Sequence, residues 1–405
     1  MTKKQVDVTD PTFKANPFPF YAQLRAEAPV FPIKLPNSIS RQHAWLITRY
    51  DDVLNALKDE RFAKDRRHAM TPEQLKKLPW IPPAFKPLEH TMLDLDSPDH
   101  TRLRALVHKA FTPRLIEQMR EQIQALTNEL LDRAEAGGSM DVIADFALPL
   151  PLTMIGRILG VPAQDNQKFH RWSKTTVSAG TTRNYFVLIP TIMRFMGYVK
   201  KLVKERRAQP KDDLVTALVQ AKEGSDQLKD DEILAMIFLL LIAGHETTVN
   251  LIGSGTLALL EHPDQLAKLR HEPALIKTAI EELLRFVCPL EMATERYARE
   301  DIIIAETTIP RGELIMAVIG SANRDANYFD NPDALDITRK NNKHLAFGYG
   351  GHFCLGASLA RLEGQIAIST LIQRMPNLRL SSAPDQLRWR GTFVLRGLET
   401  LPVSF

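Results

Sequence analysis

The stretch Phe347-Gly348-Tyr349-Gly350-Gly351-His352-Phe353-Cys354-Leu355-Gly356 decides how this chain is read. It sets one cysteine, Cys354, at the end of a glycine-rich loop and at the expected start of a helix. Gly348, Gly350 and Gly351 can take backbone angles that other residues avoid, and they let a flat ligand approach the main chain. A thiol at a helix N-terminus is biased toward thiolate, because the positive end of the helix dipole and unpaired amides stabilise the anion. A buried cysteine beside an ordinary turn would need none of the surrounding pattern Phe-x-x-Gly-x-His-x-Cys-x-Gly. A thiolate in a tight, low-profile loop meets the needs of an axial ligand to haem iron.

Outward from that loop, the chain has 405 residues, Cys288 and Cys354 as its two cysteines, and a net charge of +4. That length suits one large domain, 1–405, built around a cofactor. Two cysteines argue against a disulfide framework and for a reducing compartment. The small charge does not suggest nucleic-acid binding. Met1 to Asp10 has no apolar core, so neither a secretory signal nor a membrane anchor is expected. The longest apolar run, Ile233 to Gly244, is 12 residues, too short to span a bilayer. A soluble, cytoplasmic protein is the expectation.

Local patterns predict a mainly α chain with a smaller, C-terminal-weighted β region. Helices are expected over Phe18 to Ala28, Asp51 to Lys58 (with an Asp cap), Pro98 to Phe111, Arg114 to Ala136 and Val142 to Leu159. Asp165 to Ser178 follows the same spacing of three and four, and Tyr185 to Arg207 and Pro273 or Ala274 to Phe286 are further expected helices. The longest helix, Asp230 to Glu261, is apolar nearly all round in its first half, so it should cross the middle of the protein. Strands are expected at Ala44 to Thr48, Asp301 to Ile304, Leu314 to Ile319 and Phe393 to Leu395. Lys76 to Pro87, with four prolines, reads as a long loop.

Three constellations carry chemistry. Inside the long helix, Ala243-Gly244-His245-Glu246-Thr247-Thr248 combines a helix-weakening glycine with Thr247, whose hydroxyl can bond the Ala243 carbonyl. A locally opened helix is predicted there, with Glu246 to supply protons and Thr247 to position water or oxygen. Glu282 and Arg285 lie three apart on one helical face, and Arg339 is a candidate third member of a buried ion pin. His100 and Arg104, one helical turn apart, join Arg296 and His352 as donors suited to the two propionates of a haem.

These features in this order resemble the cytochrome P-450 family of haem-thiolate monooxygenases, in its soluble bacterial form. Asp96-Ser-Pro-Asp-His-Thr-Arg-Leu-Arg-Ala-Leu-Val, Ala322-Asn-Arg-Asp325 and Gly356-Ala-Ser-Leu-Ala-Arg-Leu-Glu363 extend the resemblance, which runs from about Asn16 to the end. It departs from the family's pattern at Ala305-Glu306, where glycine is usual, and at Ser97-Pro98, where Pro-Pro is usual.

The resemblance implies a fold with its long central helix crossing a haem b and with Cys354 as the iron ligand. His100, Arg104, Arg296 and His352 would take the propionates, Ala243 would contact the cofactor, Phe347 would pack near the sulfur and tune its electronics, and Glu246 and Thr247 would serve oxygen activation. Glu282, Arg285 and Arg339 would be structural. One oxygen atom of O2 would enter a C–H or C=C bond of a largely apolar small molecule. Leu93, Leu239, Ala243, Met292 and Val394 are the expected pocket walls.

Electrons would come from a separate ferredoxin or flavodoxin with its NAD(P)H-dependent reductase, acting on a monomer. Lys109 and Arg114 are candidate docking charges. The rival readings are a haem-thiolate peroxygenase, against which the Glu246–Thr247 pair argues, and a non-catalytic haem-binding sensor.

Overall fold

One helix, Asp230–Glu261, runs unbroken for 32 residues through the middle of the molecule, roughly 48 Å at 1.5 Å per residue. Asp230, Asp231 and Glu232 in its first turn complement the helix dipole. The Glu232 carboxylate accepts from the backbone N–H of Lys229 at 2.8 Å. The helix is long and apolar enough to cross a membrane. Its apolar surface is instead buried in the core, against helices Pro149–Ile158, Ile276–Val287 and Ala357–Arg374. Each Leu or Ile so buried contributes about 1.5–3 kcal/mol.

The structure is a computed structural model and describes residues 6–34, 43–76, 88, 91–177, 185–223 and 226–405. The expected proline-rich loop lies outside the described residues from position 77 to position 87. Most expected helices are present within two or three residues, among them Phe18–Glu27, Asp99–Ala110 and Tyr185–Ala208. Two are divided. Met119 separates Pro113–Gln118 from Arg120–Glu135, and Val142–Ala147 winds as a π-helix before Pro149 opens Pro149–Ile158. A proline at the first helical position loses no hydrogen bond, so it restarts the helix there.

The β region is weighted toward the C-terminal half, as expected, but its main sheet also takes strands from the N-terminal part of the chain. Its five-stranded sheet runs in the order Val30–Lys34, His43–Ile47, Leu314–Ala317, Arg296–Ala298, Phe62–Ala63. Leu314–Ala317 pairs parallel with His43–Ile47 and antiparallel with Arg296–Ala298. Phe393 to Leu395 forms only an isolated bridge, Leu395 to Leu290. The helix expected from Asp51 starts at Tyr50 without an Asp cap from its own segment. Asp325 caps it from a distance, its Oδ2 accepting from the Tyr50 N–H at 2.9 Å.

Two adjacent acids on Ile276–Val287 brace the cysteine loop. Glu282 is fully buried and accepts from Arg285 Nε and Nη2 at 2.8 and 2.7 Å. Arg339 Nε, Asn342 Nδ2 and the backbone N–H of Asp336 complete its shell at 3.0, 3.1 and 3.0 Å. Arg285 in turn donates to the carbonyls of Asn323, Pro332 and Ala334. The expected pin is therefore formed, with every face of the carboxylate occupied. Its neighbour Glu281 had no local signature. It takes a bidentate pair from Arg361 at 2.7 and 2.8 Å and a contact from His344 at 3.2 Å. Arg361 lies 4.4 Å over the Phe347 ring, at the root of the loop.

Two outcomes follow. Ala305 and Glu306 turn the hairpin Ile302–Ile304/Thr307–Ile309 with φ of 45° and 65°, a conformation costing about 1–2 kcal/mol per non-glycine residue. Ala305→Gly is expected to raise the urea midpoint by the equivalent of about 1 kcal/mol; an unchanged or lower midpoint would show that the turn is unstrained. Burial pushes the Glu281 carboxyl up, but the hydrogen bonds from His344 and Arg361 and the Arg361 charge hold it at about 2, against an ordinary 4.5. Its stabilising effect is thus complete above pH 4.5 and fades as pH falls toward 2. Glu281→Gln should lose roughly 1–2 kcal/mol at neutral pH, after discounting a carboxylate 30% exposed. Urea midpoints should converge with the wild type only as pH approaches 2; an equal deficit at both pH values would refute the charge-based account.

Candidate active site

The cysteine loop is drawn tight by its own backbone. Cys354 N donates to the Phe347 carbonyl at 2.9 Å and Gly348 N to that of Leu345 at 2.8 Å, around a short 3-10 turn Gly350–His352. Gly348 and Gly350 carry φ of 70° and 73°; Gly351 does not need its conformational freedom. A Cβ on Gly350 would press to 3.2 Å on the Leu57 carbonyl oxygen. The following helix starts at Ala357 with Gly356 as its N-cap, so Cys354 precedes the first turn.

The helix terminus is thus farther from the sulfur than the sequence suggested. Burial pushes the Cys354 thiol up, more than the Gly356 N–H and the charges of Arg104 and Arg361 pull it down.

Cys354 faces a cavity of about 370 Å3 between its loop and the central helix. Along one edge stand His100, Arg104, Arg296 and His352, as expected from sequence. The His100 and His352 rings lie 4.0 Å apart, and His100 Nε2 is buried without a partner. Arg104 Nη2 donates to the Phe353 carbonyl at 2.8 Å and Arg296 Nη1 to that of Thr294 at 3.2 Å. Burial holds the Arg296 guanidinium down at about 10. His352 is pushed to about 2 by burial first and then by the charges of His100, Lys64, Arg296 and Arg104.

Lys64 is a fifth member that the sequence did not announce. Its buried Nζ donates to Thr294 Oγ1 at 2.8 Å and the Glu295 carbonyl at 2.6 Å. Burial, and then Arg296, bring it to about 7. Among the described residues none of these five side chains makes a salt bridge. Buried cations in such a group call for an anion from outside the chain. A flat macrocycle bearing two carboxylates, with its metal over a cysteine sulfur, fits this donor set, the orphaned His100 Nε2 and the glycine turn.

Across the cavity the central helix presents Leu239, Leu240, Ile242, Ala243, Glu246, Thr247 and Thr248. Thr247 Oγ1 donates to the Ala243 carbonyl at 3.0 Å, as expected, and Thr248 Oγ1 to that of Gly244 at 3.3 Å. The helix nevertheless stays continuous, and the predicted opening is not formed. Gly244 serves close packing instead, because a Cβ there would sit 3.2 Å from Ile155 Cδ1. Glu246 Oε1 accepts from Arg390 Nη1 at 3.2 Å. Burial raises its carboxyl, and Arg390 opposes without cancelling the rise.

Leu93, Leu239, Ala243 and Val394 line the cavity as expected, but Met292 does not. Its backbone N–H turns to the Val394 carbonyl at 3.1 Å. Its side chain is wholly buried in a core cluster with Tyr21 and Met316, while Leu290 and Ala293 take its place on the wall. Lys109 Nζ donates to the Lys222 carbonyl at 2.9 Å; the Arg114 side chain lies outside the described residues.

The family model for Cytochrome P-450 matches residues 13–396. A polyketide biosynthesis cytochrome P-450, PksS, of Bacillus subtilis (strain 168) is 45% identical over 392 residues, covering 97% of this chain and 96% of that protein. Its solved structure superposes with a TM-score of 0.91 at 44% identity, over 98% of both chains. A vitamin D(3) 25-hydroxylase of Pseudonocardia autotrophica is 42% identical over 404 residues, with 99% and 96% covered. The crystal structure of P-450 BioI with acyl carrier protein ligated to hexadec-9Z-enoic acid matches with a TM-score of 0.85 at 41% identity, over 98% and 99%. With the thiolate loop, the cationic edge and the acid-bearing helix in place, the chain belongs to the cytochrome P-450 family and is a haem b-dependent monooxygenase.

Proposed function

We propose that this monooxygenase hydroxylates or epoxidises an extended, largely apolar small molecule. The reading takes electrons from a separate ferredoxin or flavodoxin and its NAD(P)H-dependent reductase, and protons by way of Glu246 and Thr247. Haem b, when bound, supplies dioxygen activation and one-electron chemistry. Cys354 holds the iron, and His100, Arg104, Arg296 and His352, joined by Lys64, hold the propionates. Ala243 and Phe347, which line the same cavity, would contact the cofactor. Glu282, Arg285 and Arg339 keep the cysteine loop in place, in a single cytoplasmic domain acting as a monomer.

The observation that carries the substrate class is the distribution of polarity in the cavity. Away from the cationic edge its walls include Leu93, Leu239, Ile242, Leu290, Val394 and Leu395, with Glu246, Thr247, Thr248 and Glu363 among the few polar side chains. Such a wall rewards apolar area at about 25 cal/mol per Å2 and leaves polar substrate groups unpaired. The relatives' printed substrates agree in character: a polyketide pathway, vitamin D(3) and a hexadec-9Z-enoyl chain. The last of these, carried on a protein, supports a second reading in which the acyl chain arrives tethered to a carrier.

Spin-state titration of the ferric protein tests the class. Hexadec-9Z-enoic acid or vitamin D(3) is expected to shift the spectrum at micromolar levels while a hydrophilic sugar does not; the reverse ranking would refute an apolar site. Tighter binding of the carrier-linked acyl chain than of the free acid would favour the second reading. Glu246→Gln and Thr247→Ala should each cut product formed per NAD(P)H about tenfold or more, with hydrogen peroxide rising and the titration midpoint unchanged within about twofold. Full coupling in both variants would remove these residues from proton delivery.

A further inference from the structure

The cation that faces Glu246 comes from neither the central helix nor the cofactor edge. Arg390 stands at the base of an excursion, 389–398, closed by a Trp389–Leu398 bridge and by Arg390 N donating to the Gly397 carbonyl at 2.9 Å. The tip of that excursion, Val394 and Leu395, forms part of the apolar wall. Leu395 bridges to Leu290, and Met292 N and Arg396 N donate to the Val394 and Pro289 carbonyls, each at 3.1 Å, on opposite sides of the join. One short piece of chain therefore touches both the substrate volume and the distal carboxylate.

The ion pair is partly exposed, 25% at Arg390 and 17% at Glu246, so it can open without stranding a fully buried charge. Among the described residues no hydrogen bond joins Glu246 to Thr247, whose hydroxyl is committed to Ala243.

We propose that Arg390 is a positioning residue for proton delivery: it holds the Glu246 carboxylate on the substrate-wall excursion, so that a ligand resting on Val394 and Leu395 acts on the acid through this ion pair. The inference rests on the reading of Glu246 as a proton carrier and names what controls it. Other titratable groups share the surroundings. Glu363 lines the cavity from Ala357–Arg374, and His100, Arg104, Arg296 and His352 stand at the cofactor edge. His245, on the same helix as Glu246, is buried with Nδ1 2.9 Å from the Leu241 carbonyl oxygen. Arg390 is the one hydrogen-bonded to Glu246. Its removal leaves burial of the carboxyl unopposed, which favours the protonated form.

The test is an infrared pH titration of the haem-loaded ferric protein, with Glu246→Gln subtracted to isolate the Glu246 carboxyl stretch. Arg390→Gln is expected to raise the titration midpoint by about one pH unit. Arg390→Lys should lie nearer the wild type than Arg390→Gln does. In unmutated protein the midpoint should rise with ionic strength, since salt screens an exposed pair. With hexadec-9Z-enoic acid as substrate probe, the pH profile of product formed per NAD(P)H should move the same way in Arg390→Gln.

A merely structural excursion would lower haem content or affinity without moving either midpoint. An unmoved infrared midpoint, or an infrared shift without a matching move in the coupling profile, overturns the proposal. Failure of the underlying proton-delivery reading shows separately, as full coupling in Glu246→Gln.

Discussion

A fully buried carboxylate has to be neutralised on every side, and Glu282 shows how much of a fold one such group can organise. Two guanidiniums, an amide side chain and a backbone N–H converge on it. Arg285 passes the connection on to three carbonyls in the segment from Asn323 to Ala334. Removing one partner would leave an uncompensated buried charge, a loss of about 3–5 kcal/mol. Glu281 carries the same bracing one residue earlier, through Arg361, to the ring of Phe347. The loop that presents Cys354 is thereby fixed to the helix Ile276–Val287 by charge.

The cavity edge uses the opposite logic. Lys64, Arg104, Arg296, His100 and His352 are brought together by separate elements and paired with neutral acceptors or with each other. Their depressed titration is the electrostatic signature of cations waiting on an anionic ligand, and the two carboxylates of haem b match it in charge. Across from this edge, the central helix provides one ionisable carboxylate in an apolar wall. The polarity of the cavity is thus divided: cations on the rim, a carboxylate and hydroxyls on the central helix, Glu363 on Ala357–Arg374, and largely apolar surface elsewhere.

The features legible in the sequence were those whose partners are close along the chain. The helix Asp230–Glu261 stands where its apolar spacing put it, and Glu282 with Arg285, three residues apart, forms the pin. Glu281, Arg390 and Lys64 were not legible, because their partners lie 80, 144 and 230 residues away and no local pattern marks them. Met292 was placed on the wall by position alone, and its side chain packs instead into the core with Tyr21 and Met316. The opened helix at Gly244 failed for a tertiary reason, since Ile155 fills the space that the glycine leaves. The helix expected at Cys354 begins only at Ala357, after the Gly356 N-cap, so the cysteine lies outside its first turn.

The central claim is that Cys354 is the protein ligand to haem iron, and the reduced, carbon-monoxide-bound absorption spectrum tests it most directly. The wild-type protein is predicted to show the strongly red-shifted Soret band of a thiolate-ligated haem, and Cys354→His to move it to the position typical of imidazole ligation. An imidazole-type band in well-folded wild type, or a thiolate-type band that survives the substitution, would contradict the account.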